Sequence, residues 1–396
     1  MDQLLPYFLI LAVVTALFSL PCWSFIDDPK SSRGQRVGSL DGMRGYLALS
    51  VMFHHAFVAR NWLETGVWTL PPNPFYAQLG SMAVSLFFMI TGYLFWGKLA
   101  AKGGRVNWIS LYVGRLFRIG PVYLLALSGL LLVVMVRSQW QLHEPANLVA
   151  RELMPWLTLG LLTGSDINGV AHTGLILAGV VWSLSFEWLF YIALLPLSLV
   201  ARRRWHLVSA AVLLCVSIFE SVRSTHAIWH FVLLFSVGMV TSSLHAMGWK
   251  VKADGILSSV AALAALVATL AIHAGPYTIG QSLPLALFFF LVCNGASLFG
   301  LFGTLPAIRL GHVSYSIYLL QGFVFSIGFN NASMRGILTS GHTLFFWFAT
   351  AAGAIILCTV ASAVYALLER PCIELGRRVG GNLSMRGGKL MAVFGS

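Results

Sequence analysis

The chain alternates long apolar runs with short polar connections, and this pattern predicts a series of membrane-spanning helices. A helix needs about 20 mostly apolar residues to cross the hydrocarbon core of a bilayer. Runs near that length lie at residues 4–23, 44–60, 79–97, 119–136, 182–200, 206–222, 228–247, 256–274, 279–302, 311–330 and 344–367. The sequence therefore predicts an all-α polytopic transmembrane helix bundle, with one helix at the start followed by a core of ten.

The composition supports a membrane protein and excludes a soluble binding domain. Of the 396 residues, 58% are hydrophobic and 10% charged, and the mean hydropathy is +0.82. The net charge of +12 does not indicate nucleic-acid binding, because the basic residues are spread between apolar runs. The five cysteines show no paired spacing, so we expect neither disulfides nor a metal site. The first run lacks a basic leader, which favours a retained helix.

The distribution of Lys and Arg predicts the orientation. With the N-terminus outside, twenty of the 25 basic residues fall in the connections on the cytoplasmic side. These include the loop with Lys30, Arg33 and Arg36, and the run Arg202–Arg204. We therefore expect a multi-pass membrane protein with an extracytoplasmic N-terminus and a cytoplasmic C-terminus.

Three parts of unequal length are predicted along the chain. Residues 1–38 form an extra transmembrane helix and a basic loop, residues 39–378 form the ten-helix domain, and residues 379–396 form a short, flexible, basic cytoplasmic tail. The longest outer connection, residues 138–181, contains an apolar piece near 153–163 that is typical of a re-entrant or interfacial helix.

The segment 39–60 contains the first candidate functional residues. Because a helix turns about 100° per residue, Arg44 and His55 lie within roughly 20° of each other, and His54 points away. His55 is ~16 Å further along the helix than Arg44, toward the outer side. The predicted helix that contains Glu187 runs the other way and places it about one and a half turns below the outer face, so the two side chains could meet. We expect Glu187, or another polar group, to orient His55. Ionisable groups at membrane depth are candidate functional residues.

Two further cations, Arg115 and Arg118, lie three residues apart on one helical face at the inner boundary. Arginines at this spacing can bind phosphates with paired hydrogen bonds. The alternative, that they only anchor the helix at lipid headgroups, is equally compatible with their position.

Six motifs in order resemble the membrane-bound acyltransferase 3 family. They are LDGMRGYLALSVMFHHAF (40–57), FFMITGYLF (87–95), GRLFRIGPVYLL (114–125), WSLSFEWLFY (182–191), VSYSIYLLQ (313–321) and YALLERPCIELGRR (365–378). The resemblance implies a ten-helix membrane domain that takes an acyl group from cytoplasmic acyl-CoA and transfers it to a glycan hydroxyl on the other side.

The resemblance also implies roles for single residues. His55 matches the proposed catalytic histidine, Arg44 its partner, and Glu187 the acidic position of the WSLSFEWLFY motif. Arg115 and Arg118 match the pair that contacts the coenzyme A phosphates. Two positions depart from the usual pattern: Gln321 stands where His is common, which puts any titrating role there in doubt, and Thr91 replaces Ser.

The functional prediction is an O-acyltransferase, with acetyl-CoA as the expected donor and a surface polysaccharide or lipid-linked glycan as the acceptor. His55 would act as general base, and an acyl-histidine intermediate is a variant of this mechanism. The alternative is a transporter or flippase, since intramembrane His, Arg and Glu also occur along translocation paths. Some relatives carry a fused extracytoplasmic hydrolase-like domain, for which this chain has no room. We therefore expect either direct transfer across the membrane or a separate extracytoplasmic partner protein.

Overall fold

The computed structural model describes residues 4–27, 38–202, 205–272, 276–339 and 343–394. Across these ranges the structure is helical and contains no strand, which confirms the predicted all-α bundle. The basic loop around Lys30, Arg33 and Arg36 lies outside the described residues, and so do Arg203 and Arg204.

Fifteen α-helices form the described part of the chain. They are α1 (Leu4–Ser19), α2 (Gly38–Thr65), α3 (Pro74–Ala101), α4 (Trp108–Arg137), α5 (Ala146–Trp156), α6 (Trp182–Leu197), α7 (His206–Arg223), α8 (Ile228–Ala246), α9 (Ile256–Ala271), α10 (Ile279–Cys293), α11 (Leu305–His312), α12 (Ser314–Phe323), α13 (Ala332–Thr339), α14 (Thr343–Val364) and α15 (Arg370–Phe394). Short 3-10 turns lie at Pro21–Ile26, Thr173–Leu177 and Leu301–Gly303, and π-helical turns at Val324–Phe329 and Tyr365–Glu369.

Each of the eleven predicted runs coincides with a helix, and the chain is a multi-pass membrane protein. Five helical stretches of the described chain are long and apolar enough to span a bilayer. A sixth forms if α11 and α12, bent by 61° at Val313, count as one span. Four apolar helices are shorter, and the central helix α2 carries more polar residues. The division into an extra helix and a ten-helix core stays a prediction.

Helix α2 lies at the centre of the bundle, packed against α3, α11 and α12. Two glycines let it approach the bend between α11 and α12 closely. A Cβ atom at Gly45 would overlap Leu310 and Gly311, and one at Gly311 would overlap the backbone of Asp41. These contacts bring the first turns of α2, with Asp41 and Arg44, directly to the bend.

The structure of the longest outer connection, residues 138–181, differs from the prediction. Its helix is α5, which ends at Trp156, because Leu159 and Gly160 have positive φ angles of 56° and 82°. The chain then turns back into the bundle, where the 3-10 turn Thr173–Leu177 is mostly buried and the backbone of Leu177 contacts Gly322 of α12. As a result, α6 begins inside the bundle rather than at its outer end.

The predicted flexible tail is helical up to Phe394. Pro371 does not end the helix, because it lies in the first turn of α15, directly after the π-helical turn Tyr365–Glu369. A proline is tolerated where the regular hydrogen-bond ladder is already interrupted.

The N-terminal helix is attached to the bundle by a partly buried ion pair. Arg309 of α11 donates to both oxygens of Asp27, over 2.8 and 2.9 Å, and to the carbonyl oxygens of Phe18 and Leu20. The hydrogen bonds from Arg309 lower the pKa of the Asp27 carboxyl group. Since only the ionised carboxylate pairs fully with the guanidinium, the pair stabilises the fold above the unfolded pKa of about 4.

We expect Asp27→Asn to lower the thermal stability of the protein in detergent at pH 7. The difference from the parent should shrink as the pH falls below about 4, because Asp27 of the parent then becomes protonated through its lowered pKa. Thermal unfolding between pH 7 and pH 3 measures this. The exposed Asp254 provides a control as Asp254→Asn. An equal stability difference at every pH would contradict the assigned role.

Candidate active site

A cavity of about 700 Å³ opens between α2, α3, α4, α6 and α12, at the end of the bundle that holds most of the described Lys and Arg residues. We call it the basic cavity. Its volume lies within the range of about 300–1,000 Å³ that is typical of ligand sites. Six basic and three acidic side chains line it: Arg44, Lys98, Arg115, Arg118, Arg370, Arg377, Asp41, Glu187 and Glu374. The excess of cations favours an anionic ligand.

Arg118 is held by an ion pair with Glu369, which is completely buried in the π-helical turn. The Arg118 Nη1 and Glu369 Oε1 atoms are 2.6 Å apart, and Ser316 donates a hydrogen bond of 2.7 Å to the other carboxylate oxygen. Arg118 therefore has two tasks, since it neutralises a buried carboxylate and also lines the basic cavity.

Arg115 is held by aromatic rings instead. Its guanidinium carbon lies 4.9 Å from the ring centre of Phe95 and 6.0 Å from that of Tyr191. The guanidinium also hydrogen-bonds the Tyr191 side chain, and its other donors remain available because a cation–π contact uses the face of the group. Arg115 and Arg118, predicted to share a helix face, thus both face the cavity, but their surroundings differ.

Glu187 lies in the basic cavity and does not meet His55 as expected. It accepts a short hydrogen bond from Tyr191, one turn further along α6, and contributes to the electrostatic field at Arg44. Arg44 itself is 4.0 Å from Asp41. The expectation was wrong because it placed the start of α6 at the outer end of the bundle, whereas the preceding chain enters the bundle first. Glu187 is therefore level with Arg44 rather than with His55.

His55 lies beyond the basic cavity, where its partner is Gln321. The His55 Nδ1 atom is 3.2 Å from the Gln321 Oε1 atom, and the ring stacks on Trp68 with centroids 6.2 Å apart. The lining of the cavity reaches Ser183 and Tyr318, one helical turn before Gln321 on α12. His54 points to the other side, with its Nδ1 atom 2.7 Å from the Tyr76 carbonyl oxygen.

A second, small cavity of about 30 Å³ lies at the opposite end, which we call the tryptophan end. Trp62 and Trp68 form one wall, and Arg137, His172 and Ser326 contribute polar atoms. Because Trp68 also stacks on His55, the histidine lies between this small cavity and the basic cavity.

Sequence reasoning missed two of these partners. The contact between Tyr191 and Glu187 follows i, i+4 spacing on one helix and could have been found from that pattern. The contact between Gln321 and His55 joins residues 266 positions apart, so no local signal reports it.

The fold and the cavity define a multi-pass membrane protein with a cationic site inside its bundle. The chain belongs to the acyltransferase 3 family, since the family's sequence model, described as an acyltransferase domain, matches residues 37–363. This confirms the family resemblance, and five of the six motifs lie within the matched residues. The protein is therefore a membrane O-acyltransferase that takes an acyl donor and an acceptor, and the transporter alternative loses its support.

Two relatives match the chain, and one of them is named an acyltransferase. The chain is 27% identical to the acyltransferase MdmB of Streptomyces mycarofaciens over 384 residues, which cover 87% of this chain and 93% of the relative. It is 26% identical to nodulation protein 10 of Rhizobium leguminosarum bv. viciae over 205 residues, 49% of this chain and 53% of the relative. No solved structure matches the chain.

We expect Arg118→Ala to destabilise the protein much more than Arg115→Ala. Removing Arg118 leaves the buried Glu369 carboxylate without a counterion, which costs about 3–5 kcal/mol, whereas the cation–π contacts of Arg115 contribute about 1 kcal/mol. Thermal unfolding in detergent measures both variants. Adding Glu369→Gln to Arg118→Ala should restore part of the loss, and equal effects of the two single variants would contradict the assignment.

Proposed function

We propose that the protein transfers an acetyl group from acetyl-CoA, bound in the basic cavity, to a hydroxyl group of a surface polysaccharide or lipid-linked glycan. The basic end of the bundle would face the cytoplasm of a bacterium and the tryptophan end its exterior, with the protein in the inner membrane. The observation that carries this proposal is the basic cavity itself, in which Arg44, Arg115 and Arg118 converge from two helices.

The donor fits the basic cavity by charge and by shape. The phosphate groups of an acyl-CoA carry several negative charges, and guanidinium groups bind phosphate with paired hydrogen bonds. Aromatic side chains, among them Tyr93, Phe95 and Tyr191, line the same cavity and offer surfaces on which an adenine base can stack. Arg115, whose donors are free of a carboxylate contact within the described structure, is our first candidate for phosphate binding.

His55 would supply the base for the transfer. The imidazole takes the proton of the acceptor hydroxyl group, whose oxygen attacks the thioester carbonyl carbon. A C–O bond forms, the C–S bond breaks, and the proton passes from His55 to the leaving thiolate. The thioester has to extend past Ser183 and Tyr318, whose hydroxyl groups are 2.7 Å apart, to reach His55. Arg44, about 16 Å away along α2, would hold the donor rather than the reacting atoms.

The acceptor would approach from the tryptophan end. Trp62 and Trp68 could stack on a sugar ring, and Arg137 and His172 could bind its hydroxyl groups. Since Trp68 contacts His55, a hydroxyl group at this wall would be near the imidazole. This arrangement separates the two substrates: the donor enters from one end and the acceptor from the other.

We expect His55→Ala to abolish acetyl transfer, because the base is lost, with normal protein level and acetyl-CoA binding. His54→Ala is the matched control, since His54 is adjacent and equally half-buried but hydrogen-bonded to the backbone at Tyr76. The measurement is the O-acetyl content of surface glycan in cells that produce each variant. Retained transfer in His55→Ala would exclude His55 as the base.

We expect Arg115→Ala to weaken acetyl-CoA binding at least tenfold, because a charge-assisted phosphate contact is lost. The control is Arg105→Ala, since Arg105 belongs to the same end of the bundle but is exposed and outside the cavity lining. Isothermal titration of the purified protein with acetyl-CoA measures both. If Arg115→Ala binds acetyl-CoA as tightly as Arg105→Ala, Arg115 is only a membrane anchor.

A further inference from the structure

The amide group of Gln321 is fixed in one orientation by the backbone of its own helix. Gln321 is completely buried, and its Nε2 atom donates a hydrogen bond of 2.8 Å to the carbonyl oxygen of Tyr318. A carbonyl oxygen can only accept, so the nitrogen of the amide has to face Tyr318. The amide oxygen is therefore the atom that faces His55.

This orientation determines which nitrogen of His55 carries the hydrogen. The Gln321 Oε1 atom has no hydrogen to give, so the His55 Nδ1 atom, 3.2 Å away, has to be the donor. A neutral imidazole has one N–H group, and placing it on Nδ1 leaves the lone pair on Nε2. The backbone of α12 thus acts on the histidine through the Gln321 side chain, beside a second hydrogen bond between the ring and the backbone of Val51 on its own helix.

We propose that Gln321 is a positioning residue that holds His55 in its Nδ1–H tautomer and thereby leaves Nε2 as the atom that accepts the proton of the acceptor. The proposal rests on the role of His55 in the proposed function and adds the residue that makes this role possible. Gln321 does not line the basic cavity, so it acts through His55 and not through the donor.

The surroundings hold the glutamine and the ring in place. A Cβ atom at Gly322 would overlap the backbone of Leu177 and Ala178, so α12 packs directly against the re-entering outer segment at this level. The π-helical turn Val324–Phe329 follows at once, and such turns often occur at functional sites. On the other side, Trp68 stacks on the His55 ring at an interplanar angle of 26°.

A neutral amide at position 321 affects the protonation of His55 differently from a carboxylate. Within the described structure, the titratable group beside His55 is His54 on the same helix, with ring centroids 5.0 Å apart. Arg137 and His172 lie beyond Trp68 in the small cavity. A carboxylate in place of Gln321 would be the first anion in contact with the ring, and it would favour the protonated, inactive imidazole.

The first test is Gln321→Leu, which removes both hydrogen bonds and keeps the size and burial of the side chain. We expect kcat for acetyl-CoA-dependent transfer to fall about 10- to 100-fold, as for other residues that orient a reactive histidine. The KM for acetyl-CoA should stay within about twofold, because the donor site is separate. The control is Gln281→Leu, which removes an equally buried amide from the contact between α10 and α3.

The second test is Gln321→Glu, measured as the pH dependence of kcat. The carboxylate keeps an acceptor for Nδ1 but stabilises the protonated ring, so the acidic limb of the profile should move to higher pH by about one unit or more. A side chain that only fills space would leave this profile unchanged. Gln281→Glu serves as the matched control and should show the pH profile of the parent.

The outcomes separate this proposal from the proposed function. Suppose that His55→Ala is inactive. If Gln321→Leu then keeps the kcat of the parent, or Gln321→Glu keeps the pH profile of the parent, the positioning role of Gln321 is wrong and the proposed function stands. If Gln321→Leu loses acetyl-CoA binding together with turnover, the glutamine is a packing residue and the proposal is also overturned. Full activity of His55→Ala would instead overturn the proposed function.

Discussion

The ion pair between Arg118 and Glu369 is the interaction on which the cationic site depends. A carboxylate with no solvent exposure is stable only with a counterion and a hydrogen-bond donor, and Arg118 and Ser316 supply them from α4 and α12. This contact ties three helices together at the end of the bundle that holds the basic cavity. It also uses the charge of one arginine, whereas Arg44 is 4.0 Å from its nearest carboxylate, Asp41, and Arg115 contacts aromatic rings.

A second constraint is the close approach of backbones before and within α12. Gly311, at the end of α11, and Gly322 of α12 lie on either side of the residues that line the basic cavity and contact His55, and each glycine packs against another backbone. These contacts fix the bend before α12 against α2, and the far end of α12 against the re-entering outer segment. The glutamine that contacts His55 therefore has little freedom to move, which suits a residue that sets a tautomer.

Much of the fold was predictable because apolar runs and the distribution of basic residues depend on the bilayer itself. Helical phase also separated His55 from His54, since phase is a local property. The expected contact between Glu187 and His55 was wrong, because the outer connection turns back into the bundle. This places Glu187 in the basic cavity, level with Arg44. The path of this connection depends on contacts between residues far apart in the sequence, such as Gly322 with Leu177. A hydropathy pattern carries no information about such contacts.

The central claim is that the donor occupies the basic cavity with its acyl group directed at His55. A structure of the protein determined by electron cryomicroscopy with the thioether analogue S-ethyl-CoA would test it most directly. The account predicts phosphate groups in contact with Arg115 and the ethyl group at Ser183 and Tyr318, on the side of His55. An analogue bound outside the basic cavity, or bound within it with the ethyl group directed away from Tyr318, would contradict the account.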